Sequence, residues 1–182
     1  MKALVTGASS GIGREMAKIL SDMGYDLILV ARRKKKLEEL KKQLTTKVTI
    51  INLDISSTYN CMKLYDKVKK EDIDIVINNA GFGLFGEFTE TSLDKELDMI
   101  DTNIKAVHTL TKLFLKDFKE KDSGYILNVS SSAAFLSGPL MSTYYATKGY
   151  VLKLTEAIYE ELRREDSNVY IGTLCPGPVD TE

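Results

Sequence analysis

The chain has 182 residues, 43% of them hydrophobic, a formal net charge of -1 and a pI near 6.0. This is enough apolar sequence for one sizeable core, so a single domain over 1–182 is expected and general disorder is excluded. The near-even charge excludes an overall electrostatic attraction to nucleic acid or anionic membrane, leaving small molecules and copies of the chain as expected partners.

In chain order, residues 3–6 form a short apolar run broken by Gly7. Apolar residues at Ile12, Met16, Ile19 and Leu20 then give 12–23 a helical period, which reads as strand, glycine turn, helix. Gly24 punctuates the helix end, and Asp26–Ala31 reads as a second buried strand. A charged helix over 34–44 follows, with Leu37, Leu40 and Leu44 on its inner face. A third strand is expected at 48–51, a helix capped by Ser56 or Ser57 and running to about Lys69, and a fourth strand at 73–77. Residues 93–120 read as a long helical region and 125–130 as the fifth strand. A helix from Tyr144 to about Glu165 and a sixth strand at Val169–Leu174 complete the pattern, the last stopped by Cys175-Pro176-Gly177.

Strands apolar on both faces and alternating with helices indicate an α/β fold with a parallel sheet covered on both sides. The expected architecture is a doubly wound, Rossmann-like sheet of order 3-2-1-4-5-6 without internal repeats. Cys61 and Cys175 lie far apart with no C-x-x-C and no histidine partner, so free thiols are expected, with neither a disulfide framework nor a zinc site. The opening M-K-A-L-V-T-G is too short an apolar stretch for a signal peptide, and no run approaches the ~20 apolar residues of a membrane span. A soluble cytoplasmic protein is the expectation.

Several stretches carry chemistry. T-G-A-S-S-G-I-G at 6–13 stands where the first strand turns into the first helix, so backbone at Gly7, Ser9, Ser10, Gly11, Ile12 and Gly13 can approach a pyrophosphate at a helix N-terminus. Asn78-Asn79-Ala80-Gly81 follows the fourth strand at the carboxyl edge of the sheet, where ligands bind in such folds. Asn103 interrupts a helical pattern in which Asn is a poor helix former. Tyr144 and Lys148 are four residues apart on one helix face, and an ammonium beside a phenol favours the phenolate, making a general acid/base.

These stretches together resemble the short-chain dehydrogenase/reductase superfamily, from Thr6 to Thr181. The resemblance implies a catalytic set of Ser131, Tyr144, Lys148 and Asn103. The family serine lies thirteen residues before the tyrosine and eight before a proline, which selects Ser131 from Ser130, Ser131 and Ser132 against Tyr144 and Pro139. The same spacing selects Tyr144 over Tyr145. By resemblance, Asn103 holds a water that relays protons to Lys148, which also holds the nicotinamide ribose. Asp54, otherwise a helix-capping carboxylate, bonds the adenine; Asn79, Ala80 and Gly81 wall the cofactor site. Pro176, Gly177, Val179 and Thr181, in P-G-P-V-D-T, contact the nicotinamide.

At the end of the second strand, NAD-selecting folds place an acid for the ribose 2′-hydroxyl, whereas NADP-selecting ones offer a basic group. This chain has Ala31 and then Arg32 and Arg33, so NADP (NADPH) is the expected cofactor rather than NAD. The implied activity is hydride transfer between NADP(H) and a carbonyl or alcohol carbon of a small-molecule substrate. The alternative is a non-catalytic dinucleotide-binding sensor or scaffold of the same fold.

His108 reads as a packing or surface residue. Phe82, Leu84, Phe85 and Phe88 read as pocket lining or core. The resemblance also implies a dimer or tetramer formed through the two long helices; the apolar stripes of Leu110, Phe114, Val151 and Leu154 are candidates for those contacts and equally for the core. Family members continue past P-G-x-V-x-T with a substrate-covering segment, a further helix and a seventh strand. This sequence stops at Glu182, so a longer protein is expected.

Overall fold

Each strand of this chain is apolar at consecutive positions, which suits strands packed on both sides. The computed structural model describes residues 1–179. Strands β1 (Lys2–Thr6), β2 (Asp26–Ala31), β3 (Val48–Asn52), β4 (Ile75–Asn78), β5 (Gly124–Val129) and β6 (Val169–Leu174) form one parallel sheet. Their order is β3-β2-β1-β4-β5-β6, the doubly wound arrangement expected. β1 sits between β2 and β4, so successive crossovers leave it in opposite directions and open a crevice at its carboxyl end.

Alternation along β1 divides the core. Ala3 and Val5 face a cluster with Leu27, Leu29, Ala17 and Leu20 of α1 (Gly11–Asp22), and Leu37 and Leu40 of α2 (Lys34–Lys41). Leu4 faces the other layer with Ile28, Val76, Ile126 and Ile171. That layer is closed by α3 (Thr58–Val68), α5 (Val107–Glu120) and α6 (Ser142–Arg164), through Leu64, Leu110, Phe114, Phe118 and Leu162. Burying an aromatic such as Phe114 stabilises the fold by about 2–3 kcal/mol.

Four local features differ from the sequence reading. The second helix ends at Lys41, and Leu44 packs from the turn that follows. Residues 93–120 are not one α-helix: α4 (Leu93–Ile100) passes through a π-helical turn, Asp101–Ala106, into α5. Ile73 is buried but precedes β4, and Ser132–Phe135 form a 3₁₀ turn.

Leu110, Phe114 and Val151, considered for pairing two copies, are at most 2% exposed within this chain, and Leu154 is half-buried. For Leu110 and Phe114 the core reading holds, since both pack in the cluster against the sheet. Both cysteines are free thiols; Cys61 is buried, donates to the Ile55 carbonyl, and burial pushes its thiol up to about 11. No helix among the described residues is long and apolar enough to cross a membrane.

Candidate active site

The crevice at the carboxyl end of β1 is a cleft of about 930 Å³. Its floor is the loop at 7–13, where Gly7 and Gly11 take φ of 66° and 52°, a region that favours glycine. A Cβ on Gly7 would stand 2.8 Å from the Ala80 Cα, and one on Gly13 would stand 2.3 Å from the Asn79 Nδ2. The loop is thus pressed against the segment after β4.

Thr6, which the sequence reading passed over as the strand's last residue, organises that contact. Its Oγ1 donates to the Ile77 carbonyl and accepts from the Asn79 and Ala80 amides at 3.0 and 3.1 Å. Asn79 answers by donating its Nδ2 to the Thr6 and Gly7 carbonyls. At α1 the N-cap residue, Ser10, makes no side-chain cap bond. The first-turn amides thus take no cap from the Ser10 side chain, and Gly11 and Ile12 line the cleft, so the helix start is a natural seat for an anion.

One end of the cleft is basic. Arg33 reaches back to the glycine loop, its Nε donating to the Ser9 Oγ at 3.2 Å and its guanidinium also to the Ser10 Oγ. Arg32 is exposed and faces Asp54 across 3.8 Å. Asp54 accepts the Ser56 amide at 3.0 Å, which makes a turn two residues ahead of the Ser57 helix cap; it does not cap the helix itself. Asn52 fixes the end of β2 by donating to the Ala31 and Arg32 carbonyls.

The other end carries the acid/base candidates. α6 starts at Ser142, so Tyr144 and Lys148 lie one turn apart on its first turns and both line the cleft. Lys148 is 6% exposed, and its Nζ donates to the Val129 carbonyl at 3.0 Å. Burial lowers its ammonium to about 8, with a small opposing contribution from Cys175.

The three serines after β5 all line the cleft and differ in their hydrogen bonds. Ser130 is buried and donates its hydroxyl to the Lys148 carbonyl; the Ser132 amide bonds the Pro176 carbonyl. Ser131 lines the cleft and caps the 3₁₀ turn, its Oγ accepting the Ala133 amide at 3.2 Å and keeping its proton to donate.

Asn103 lies in the π-helical turn, a feature often found at functional sites. It is 1% exposed: its Nδ2 donates to the Phe82 carbonyl and the Thr147 Oγ1, and its Oδ1 accepts the Phe82 amide. A Cβ on Gly81 would be 2.9 Å from the Asn103 Oδ1 and 3.4 Å from the Lys148 Nζ, so Gly81 is the thin wall between them.

Of the expected site residues that are described, all line the cleft except Gly13, beneath the loop, and Asn103, behind Gly81. Thr181 lies outside the described residues. The sequence reading missed Thr6, Leu136 and Met141 as contributors; Thr6 ends β1, Leu136 follows the turn after β5 and Met141 caps α6 beside Tyr144. Of the aromatic candidates, Phe82 lines the cleft, Phe85 and Phe88 are largely exposed, and His108 is exposed and bonds the Tyr150 hydroxyl at 2.8 Å.

The family model for short chain dehydrogenase matches residues 1–182. The chain belongs to the short-chain dehydrogenase family. It is 34% identical over 181 residues to an uncharacterised oxidoreductase of Staphylococcus epidermidis, an alignment covering 98% of this chain and 78% of that one. A short-chain dehydrogenase from Sphingobium yanoikuyae in complex with NADPH superposes with a TM-score of 0.92 at 30% identity, covering all of this chain and 72% of that one. A short-chain dehydrogenase/reductase from Burkholderia phymatum in complex with NAD gives 0.90 at 28% identity, covering 98% of this chain and 66% of that one.

Proposed function

We propose that this short-chain dehydrogenase is an NADP-dependent oxidoreductase that interconverts a carbonyl and an alcohol, with Tyr144 as the general acid/base. The observation that carries this reading is the convergence of Tyr144, Ser131, Lys148 and the glycine loop on one cleft at the sheet's switch point. The residues fit the dinucleotide: the spaces that a Cβ would fill at Gly7 and Gly13 draw the loop down, and the uncapped start of α1 suits its phosphates. Asp54, Ala80 and Gly81 line the same cleft, as do Pro176, Gly177 and Val179. Arg32 and Arg33 would hold a 2′-phosphate, which favours NADP over NAD. When bound, the nicotinamide supplies the hydride in reduction and takes it up in oxidation.

The chain's own groups handle the oxygen. In reduction, the Tyr144 hydroxyl and the Ser131 hydroxyl donate to the carbonyl oxygen, and Tyr144 passes its proton to that oxygen as the alcohol forms. Lys148 sets a positive charge beside the phenolate left behind. In oxidation the phenolate takes the alcohol proton and the same cation favours it. Asn103 holds Phe82 through its backbone and so positions Gly81 against the lysine.

The test is a panel of ketones and aldehydes assayed with NADPH and with NADH, alongside cofactor binding by fluorescence. Equal or better kcat/KM with NADH would overturn the cofactor preference. Stoichiometric NADPH binding with no turnover of any carbonyl would overturn the catalytic reading.

A further inference from the structure

The two ends of the cleft differ in chemistry. Arg32, Arg33 and Asp54 stand at the glycine-loop end, whereas Phe82, Gly83, Ala133, Leu136, Met141 and Tyr145 line the cleft with Tyr144, beside the hydroxyls of Ser131 and Ser132. No Asp, Glu, Arg or His is among these six, and the cation nearest to Tyr144, Lys148, is buried with its Nζ donating to the Val129 carbonyl.

This wall is fastened at several points. A Cβ on Gly83 would lie 3.1 Å from the Met141 Cε and 3.3 Å from the Tyr144 Cδ2, so the loop after β4 packs directly on the tyrosine ring. The Gly86 amide donates to the Leu140 carbonyl at 2.8 Å. The buried carboxylate of Glu96 accepts the hydroxyl of Thr91 at the loop's end and, at 2.9 Å, that of Thr143 beside Tyr144. Leu136 of the wall is 64% exposed, its chain neighbour Phe135 is 65% exposed, and Phe85 of the loop after β4 is 72% exposed.

We infer, resting on the proposed carbonyl chemistry, that the reacting partner is an uncharged carbonyl compound bearing a large apolar substituent. Covering the wall removes apolar surface from water, which favours such a compound. A carboxylate or phosphate on the substrate would lose its hydration against Phe82, Leu136 and Met141 with no cationic side chain among the six to balance its charge.

The test uses one acetophenone in two charge states, para-acetylbenzoate and its methyl ester. Binding to the NADPH-saturated full chain is read by calorimetry, and turnover by NADPH absorbance. The ester is expected to bind at least about tenfold more tightly than the anion and to have the higher kcat/KM. Leu136→Arg, at an exposed position, is expected to narrow that gap at least about tenfold by giving the carboxylate a partner. Binding of the anion as tight as or tighter than the ester would overturn the inference, and so would failure of both to bind. Tighter binding of the ester without reduction of either compound would support the apolar cleft and sink the carbonyl chemistry, so the two failures are distinguishable.

Discussion

The Lys148 Nζ stands 5.8 Å from the centroid of the Tyr144 ring and hydrogen-bonds the Val129 carbonyl at the end of β5. One ammonium therefore ties the helix that carries the phenol to the strand that leads to Ser131. The tie fixes the geometry between the two hydroxyls that would share a substrate oxygen. It also buries a charge, and that cost falls on stability.

Tyr144→Phe removes the proton donor and leaves the ring in place. Its expected effect is a fall in kcat of about 10²- to 10⁴-fold, with NADPH binding retained. Tyr145→Phe, one residue along and lacking a lysine four residues ahead, should change kcat far less. Steady-state kinetics on both variants checks the assignment: loss of turnover in Tyr145→Phe with normal turnover in Tyr144→Phe would show that the register is wrong.

Lys148→Met should stabilise the fold while reducing activity. The folded-state ammonium, lowered to about 8, lies below the ordinary 10.5, so between these values the unfolded chain binds more protons. Stability attributable to Lys148 accordingly rises as pH climbs from about 8 towards 10.5, and below 8 the burial penalty is present in full. That penalty is about 3 kcal/mol. The Val129 carbonyl's lost donor offsets about 1 kcal/mol of the gain, leaving the variant about 2 kcal/mol more stable at neutral pH. Urea denaturation at neutral pH and again at pH ~10 should show the difference between variant and wild type shrinking. Carbonyl reduction by the wild type should fall as pH rises through about 8, where the cation is lost.

Much of this was legible in the sequence because it rests on local pattern. The six apolar runs marked the strands, and the alternation of strand and helix gave the sheet order. The glycine loop, Asn79 and the Tyr144 pair sit at strand ends, where a cleft must form. What was not legible depends on tertiary contact. The helical period runs unbroken across Asp101–Ala106, and only Asn103, a poor helix former, hinted at the π-helical turn; its buried bonds to Phe82 and Thr147 come from other parts of the chain. Asn128 reads as an ordinary strand residue. It is fully buried because Asn78, Thr111 and Thr155, distant in sequence, satisfy its amide. Leu110 and Phe114 show the converse, since a stripe read from period alone does not say whether it meets a sheet or another molecule.

Cofactor choice can be assigned to one arginine or the other. Arg33 lies against Ser9 and Ser10 of the glycine loop, while Arg32 faces Asp54 from an exposed position. Replacing both by alanine should weaken NADPH binding at least about tenfold more than it weakens NADH binding, because only the 2′-phosphate loses its partner. The single variants then divide the effect, and Arg33→Ala should also loosen the loop and weaken both cofactors. Fluorescence titration with each dinucleotide measures this; an equal loss for NADH and NADPH in Arg32→Ala would remove it from selectivity.

Two glycine-to-alanine changes should move stability in opposite directions. At Gly13 the added methyl would stand 2.3 Å from the Asn79 Nδ2 and 2.7 Å from the Gly7 carbonyl oxygen, and the second of these is backbone that cannot swing away. The glycine loop and the segment after β4 must then separate, at a cost of about 1–3 kcal/mol, and NADPH binding should weaken with them. Gly149, in the second turn of α6, has the Ala134 carbonyl oxygen as its nearest neighbour at 3.8 Å, which is ordinary contact. Alanine there only restricts the unfolded chain and improves helix propensity, so Gly149→Ala should stabilise by about 1 kcal/mol. Thermal melts of the two variants beside the wild type decide the matter. A stabilised Gly13→Ala would mean that the glycine loop does not press on Asn79, and the account of how the cofactor cradle is built would fail with it.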